Sequence, residues 1–481
     1  MQLEQAFRIS NTACIALSGS GGKTTALFQL ARGLARPDPA DAADAAGSKG
    51  NTSARPVIVT ATAHLHVDQL HLADSHWSGE TPADFSGLEE NLQGVMLVTG
   101  PVDGDRTRGL DDNTIHWLHD FCDRHALPLL IEADGSRQRP LKAPAEYLSP
   151  KFGGEPPIPD FVGTVAVVAG LSGLGKPLGE EFVHRPEIFA RLSGLAIGET
   201  ITPEALLRVL TQPHGGLKNI PAQADRLVLL NQADTAELQA QARALAGNLL
   251  KAYHSVIIAS LGQSRIHAVY EPVAGIILAA GEARRFGQPK QLMDYHGQPF
   301  VRAVTKTALA SGLAPVVVVT GANAETVEAA LHDLPVTITR NADWQKGQSS
   351  SIRSGLQSLY YPSLRDSSPK FLEWGGGRVG VGAAIFLLAD QPQVSSTVIH
   401  ALAEEHTRTL APILAPLVAG RRANPVLFDR VTFPDLMSLT GDVGGRAIFG
   451  SHQVTYLPWQ DESLLLDVDT PEDFEKLRNQ E

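Results

Sequence analysis

Residues 275–290 read Gly-Ile-Ile-Leu-Ala-Ala-Gly-Glu-Ala-Arg-Arg-Phe-Gly-Gln-Pro-Lys, so three cations and two glycines follow directly on an apolar run. Gly281 and Gly287 let the backbone turn and approach a ligand closely, which a residue with a Cβ does less readily. Arg285 and Lys290 supply the positive charge that a triphosphate requires. Downstream, Ala384-Ile-Phe-Leu-Leu-Ala-Asp390 ends a second apolar run in a carboxylate suited to Mg²⁺, with a turn aspartate before Pro392 as the structural alternative. A parallel set stands near the start. Ser18-Gly19-Ser20-Gly21-Gly22-Lys23-Thr24-Thr25 lies between an apolar run and a helical pattern. There backbone N–H groups at Gly19, Gly21 and Gly22 would hold phosphate oxygens, Lys23 would reach the terminal phosphates and Thr24 would ligate Mg²⁺. Leu129-Leu-Ile-Glu132-Ala-Asp134 then offers Glu132 or Asp134 as the acid on the metal side. Both ends of the chain thus carry the residue types of nucleotide chemistry.

The second set continues through Trp344-Gln-Lys-Gly347-Gln-Ser349-Ser350-Ser351-Ile-Arg353, Asp390-Gln-Pro392, Arg421-Arg422-Ala-Asn424-Pro425, Gly441-Asp442-Val-Gly444-Gly445-Arg446 and Asp467-Val-Asp469-Thr-Pro471-Glu-Asp473. In this order the motifs resemble the molybdenum cofactor cytidylyltransferases, MobA-like relatives of the guanylyltransferases that act on the same pterin, over residues 272–481. The resemblance implies a Rossmann-like nucleotidyltransferase domain that moves CMP from CTP to the terminal phosphate of molybdopterin, with Mg²⁺ and release of pyrophosphate. Arg285 and Lys290 would then neutralise the leaving group and Asp390 would hold the metal. The family pattern favours Asp469 over Asp467 as a second metal contact, the two alternating on what reads as a strand. Ser349, Ser350 and Ser351 would meet base, ribose or acceptor phosphate. Asn424, Asp442 and Arg446 fall on the pterin side. The pair Ala279-Ala280 is similar to the cytidylyl branch, and a Cβ at Ala280 is expected to crowd a purine. Guanylyl transfer, transfer to another small molecule, and non-catalytic delivery of the cofactor are the competing readings.

The first set departs from the usual phosphate loop, because Leu17 stands where a glycine is expected. Its spacing resembles the shortened loop of the Mur ligases, with Gly19 in that place. Together with Glu-Ala-Asp-Gly-Ser-Arg, Pro-Leu-Lys-Ala-Pro and His-Arg-Pro-Glu, residues 5–260 resemble the selenium-dependent hydroxylase accessory proteins. That resemblance implies nucleotide binding and a link to a molybdenum hydroxylase or its chaperone. Asn231-Gln-Ala-Asp234 is similar to the Asn-Lys-x-Asp element with which GTP-binding proteins read guanine, though Asp234 equally suits a helix cap. ATP and GTP both stay open.

Each set needs a parallel strand to aim it and a helix to follow, so the expectation is two doubly wound α/β domains, residues 1–268 and 272–481, joined near Tyr270-Glu-Pro272. A chain of 481 residues exceeds one ordinary core. The net charge of −12 argues against nucleic acid as a partner and makes the cations of the loops local. Cys14 and Cys122 do not make a disulfide framework, and no signal peptide or membrane span is legible, which together suggest the cytoplasm and no membrane partner. Residues 37–55 and 361–382, rich in small and polar residues, read as loops.

Overall fold

The computed structural model describes residues 1–9, 12–36, 54–145, 154–282, 289–362, 377–468 and 470–478. The chain divides into two compact units, Met1–Tyr270 and Glu271–Glu481.

In the first unit a nine-stranded sheet is built from short apolar runs. These are β1 (Cys14–Gly19), β2 (Val57–Ala61), β3 (Ser75–Ser78), β4 (Val95–Thr99), β5 (Leu129–Glu132), β6 (Thr164–Gly170), β7 (Asp225–Asn231), β8 (Ser255–Ser260) and β9 (Arg265–Tyr270), in the spatial order β9-β8-β7-β6-β1-β5-β2-β4-β3. All neighbours run parallel except β8 and β9. Every residue of β2, β4, β5 and β8 is buried, as expected of strands covered on both faces. The glycine loop after β1 leads into helix α1 (Lys23–Leu34), and helix α2 (Ala236–Leu249) follows β7.

The second unit holds an eight-stranded mixed sheet made of β10 (Val273–Ala279), β11 (Val316–Thr320), β12 (Thr337–Arg340), β13 (Ala383–Leu388), β14 (Ile413–Val418), β15 (Arg421–Arg422), β16 (Val426–Asp429) and β17 (Val454–Trp459). The order is β12-β11-β10-β13-β16-β14-β15, with β17 beside β14. β10 lies between β11 and β13 and is parallel to both, while β16 is antiparallel to β13. Alternation along β10 sends Ile277 and Ala279 to one apolar cluster, which includes Val301 and Val398, and Ala274 and Ile276 to another, which includes Ile352 and Leu436. Helices therefore cover both faces, as in a doubly wound domain. Helix α3 (Gln348–Gln357) and the final helix α4 (Pro471–Arg478) flank the strand ends used below.

One loop expectation changes. Within residues 361–382, Gly377–Val379 pairs antiparallel with Tyr360–Pro362, so that stretch closes on a short ladder; residues 363–376 lie outside the described residues. Of residues 37–55, only 54 and 55 are described. Among the described residues no helix is long and apolar enough to cross a membrane.

Candidate nucleotide sites

β10 and β13 are paired in register from Val273 opposite Ala383 to Leu278 opposite Leu388, so their carboxyl ends release two chain segments side by side. Ala279, Ala280 and Gly281 emerge from one strand, Ala389 and Asp390 from the other, and all five line a cavity of about 1020 Å³. Lys290, Gln291, Trp344, Lys346, Gly347, Ser351 and Asp442 also form its wall. This is the position where open α/β sheets take ligands. Among the described residues, a Cβ built on Gly281 meets no atom within 4 Å. Gln291, 5% exposed, donates from Nε2 to the Gly281 carbonyl at 3.1 Å and pins the loop.

Three of the expected contacts are different in the structure. The Ser349 hydroxyl donates to the Gly441 carbonyl at 2.6 Å, and Ser350 Oγ is within 3.0 Å of the Gly347 and Asp343 carbonyls. Both hydroxyls are spent on fastening the start of α3, and Ser351 is the serine of this run on the cavity wall. Asn341 holds Ser350 and Ser351 together, its Nδ2 lying 2.8 and 3.0 Å from their hydroxyls. Ala280, 5% exposed, packs into the cluster with Val317 and Val319, and a Cβ on Gly321 would come 2.8 Å from its own. Asp467 is not in a strand. It follows the 3₁₀ turn Glu462–Leu465, is exposed, and accepts from Gln391 Nε2 at 2.9 Å. Gln393 Nε2 adds a bond to the Leu466 carbonyl at 2.8 Å, so two glutamines tie this segment to the turn that carries Asp390. Asp442 accepts from the Gln348 N–H at 3.1 Å at the start of α3. Half-buried Asn424 and exposed Arg446 are not among the described lining residues. Arg285, Gly287 and Asp469 lie outside the described residues.

Trp344, Lys346 and Gln291 were not singled out by sequence reasoning. Their signal was Gly347, whose φ of +97° is rarely adopted by L side chains and whose hypothetical Cβ would sit 2.4 Å from Asp442 Cα. A glycine pressed that closely against another loop marks a wall of the cavity.

In the first unit the glycine loop has the backbone its composition demands. Gly19, Gly21 and Gly22 have φ of +94°, +82° and +121°, and a Cβ on Gly21 would fall 2.3 Å from the Gly170 nitrogen. Leu17, in place of the usual glycine, is a fully buried strand residue. Lys23 Nζ donates to the Gly19 carbonyl at 2.7 Å and lies 3.2 Å from Asp134 Oδ1. Thr24 Oγ1 donates to Glu132 at 2.9 Å and accepts from Gln69 Nε2 at 3.2 Å. Asp134 was expected beside the metal, yet it accepts from the Gly19 N–H at 3.1 Å and from Lys142 Nζ at 2.7 Å. Glu132 is therefore the carboxylate that shares a position with Thr24. Burial alone would raise Asp134, but Lys23 and Lys142 hold it below the ordinary carboxylate range; burial raises Glu132 against the pull of Lys23. Lys142 also bonds Glu155, and Glu155 pairs with Arg185 at 2.5 Å, which extends the charges into a buried chain.

Residues 275–455 match the MobA-like NTP transferase domain family, and residues 45–187 match the YqeC protein family. The chain is 31% identical over 234 residues to the YqeC protein of Escherichia coli, covering 46% of this chain and 77% of that one. It is 31% identical over 216 residues to the purine catabolism protein PucB of Bacillus subtilis, covering 42% of this chain and 95% of PucB. With the nicotine blue oxidoreductase of Paenarthrobacter nicotinovorans it shares 30% identity over 215 residues, 43% of this chain and 96% of that one. The chain belongs to the MobA-like nucleotidyltransferases, with a YqeC domain on its N-terminal side.

Proposed function

We propose that residues 271–481 transfer the cytidylyl group of CTP to the terminal phosphate of molybdopterin, giving the cytosine dinucleotide and pyrophosphate. The observation that carries this reading is the convergence of Gly281, Lys290 and Asp390 on one cavity at the paired ends of β10 and β13. No side-chain nucleophile is required, because the attacking phosphate is already an anion. Its oxygen bonds to the α-phosphorus in line as the bond to the β-phosphate oxygen breaks, and the chain has only to orient and neutralise. Lys290, with Arg285, balances the charge that grows on the departing pyrophosphate. A Mg²⁺ ion would be held by Asp390, with Asp469 as second contact, and would supply positive charge to the triphosphate. The donor set suits it: Mg²⁺ takes one or two carboxylates and completes its shell with phosphate and water, so Asp390 on an open wall is enough protein for it. Asp442 stands at the acceptor side of the cavity, and Asn424 and Arg446 flank the pterin. The choice of CTP over GTP rests on the sequence resemblance.

The first unit, in the same reading, binds a Mg²⁺-nucleotide through Gly19, Gly21, Gly22, Lys23 and Thr24, with Glu132 in place of Asp134 on the metal side. It assists the hand-over of finished cofactor to a molybdenum hydroxylase or its chaperone in the cytoplasm.

Pyrophosphate release measured with molybdopterin and each nucleoside triphosphate tests the transfer. CTP should support it at least ~100-fold better than GTP, within the range that a base-reading site achieves. Equal use of GTP would replace cytidylyl by guanylyl or broader transfer, and no release with any triphosphate would leave cofactor delivery, or the redox chemistry in the name of one relative, as the better reading. Residues 271–481 expressed alone should keep the activity, and Lys23→Ala in the whole chain should leave it within about twofold, since the lost ammonium acts only within the first unit, on Gly19, Asp134 and the phosphates of that site. Loss of transfer on either change would mean that the two units build one active site.

A further inference from the structure

We infer that the nucleotide site of the first unit selects guanine, with Asp234 as the acceptor for the base; the inference rests on the reading of residues 18–25 as a phosphate loop. From sequence, Asp234 was as well explained as a helix cap. The structure gives that task to its neighbour: Thr235 Oγ1 accepts from the Leu238 N–H at 3.2 Å and caps α2. Asp234 itself is exposed at the carboxyl end of β7.

What surrounds Asp234 ties it to the glycine loop. Asn231, the last residue of β7 and 3% exposed, donates from Nδ2 to the Gly21 carbonyl at 2.7 Å. Its Oδ1 accepts from the Leu261 N–H at 3.0 Å, in the turn after β8. Gln29 of α1 then donates to the Leu261 carbonyl at 2.9 Å. The turns after β7 and β8 are thus fastened to the glycine loop and to its helix by side chains whose donors and acceptors are used on both sides. A buried amide satisfied in this way fixes its neighbours in place. The Ala233 N–H donates to the Ala259 carbonyl at 3.0 Å, which fixes the residue before Asp234 as well.

A carboxylate is an acceptor only. Guanine offers two adjacent donors, N1–H and the N2 amine, to one carboxylate in a bidentate pair, whereas adenine presents the lone pair of N1 and is repelled. Gln232, at the place of the lysine in the guanine-reading element, has φ of +60° and accepts from Ser172 Oγ at 2.5 Å, so its side chain is held by the protein.

The test uses the whole chain and a fluorescently labelled GTP, and counts only binding that Lys23→Ala abolishes, which removes the contribution of the second unit. Unlabelled GTP should displace the probe at least ~100-fold better than ATP, the scale at which a site built to hydrogen-bond a base rejects one without the donors. In Asp234→Asn the amide can donate to the O2 of xanthine and accept from its N1–H, so GTP should weaken by ~100-fold while XTP gains by a similar factor. The gain on XTP cannot come from misfolding. Equal displacement by ATP, or GTP binding unchanged in Asp234→Asn, would overturn the guanine assignment and leave the phosphate loop standing. Absence of any Lys23-dependent binding would overturn the phosphate loop and the base assignment with it.

Discussion

Asp390→Ala should lower pyrophosphate release by ~10³-fold or more at saturating CTP, because a carboxylate that would hold the proposed metal supports several kcal/mol of transition-state charge stabilisation and each 1.36 kcal/mol is a factor of ten. The substitution removes a carboxylate from a cavity wall at the end of β13 and leaves the buried residues of that strand in place. Melting of the variant should therefore match the parent. Asp390→Asn keeps the shape and loses the charge, and it should be nearly as slow. If either variant turns over at a near-normal rate with saturating Mg²⁺, Asp390 is a turn residue before Pro392 and the metal is held elsewhere.

The second large effect is on stability. Lys142→Met should destabilise the first unit by about 3–5 kcal/mol, the loss expected when one member of a buried charge cluster is removed. The side chain of Lys142 is 2% exposed and lies 2.7 Å from Asp134, whose side chain is equally buried. It also meets Glu155, 5% exposed. Without the ammonium two carboxylates are left in the interior, one helped by Lys23 and the other by Arg185. The contrast is Arg32→Ala. Arg32 bonds Asp74 at 2.6 Å, but both side chains are more than two-fifths exposed, and a pair in water contributes about 1 kcal/mol or less. For a unit of this size the lysine variant should lower the first thermal transition by ~10 °C and the arginine variant by only a few. Similar shifts in the two variants would show that the buried chain of charges is not what holds β5 to the segments after it.

Much of the architecture was legible because short apolar runs ending in glycine loops can be little else than parallel strands feeding helices. The positive φ at Gly19, Gly21 and Gly22 is what a loop of this composition exists to provide. The misreadings have a common cause. Asp134 and Glu132 are both acids at the end of one strand, and which of them meets Thr24 depends on where Lys142 enters, a residue the motif does not include. Ser349 and Ser350 look like ligand hydroxyls until the Gly441 and Gly347 carbonyls arrive to take them. Asp234 stayed open between a base-reading acid and a cap, and Thr235 beside it, with the same capacity and a better position, takes the cap. Polar residues at loop ends have several partners within reach of sequence, and long-range packing chooses among them.

The glutamine ties in the second unit have a consequence for the order in which the protein is made. Gln391 reaches across 76 positions of sequence to Asp467, and Gln393 across 73 to Leu466. At ~5–20 residues per second a ribosome needs several seconds to pass from one side of that tie to the other. During that interval the glycine loop, α3 and the Asp390 turn have already been synthesised, while the segment that fastens to the turn is still to come. The transferase cavity is thus finished late in translation, after the whole of the first unit has been synthesised, and a nascent chain that has not yet yielded residue 467 lacks the anchor of the turn that carries Asp390.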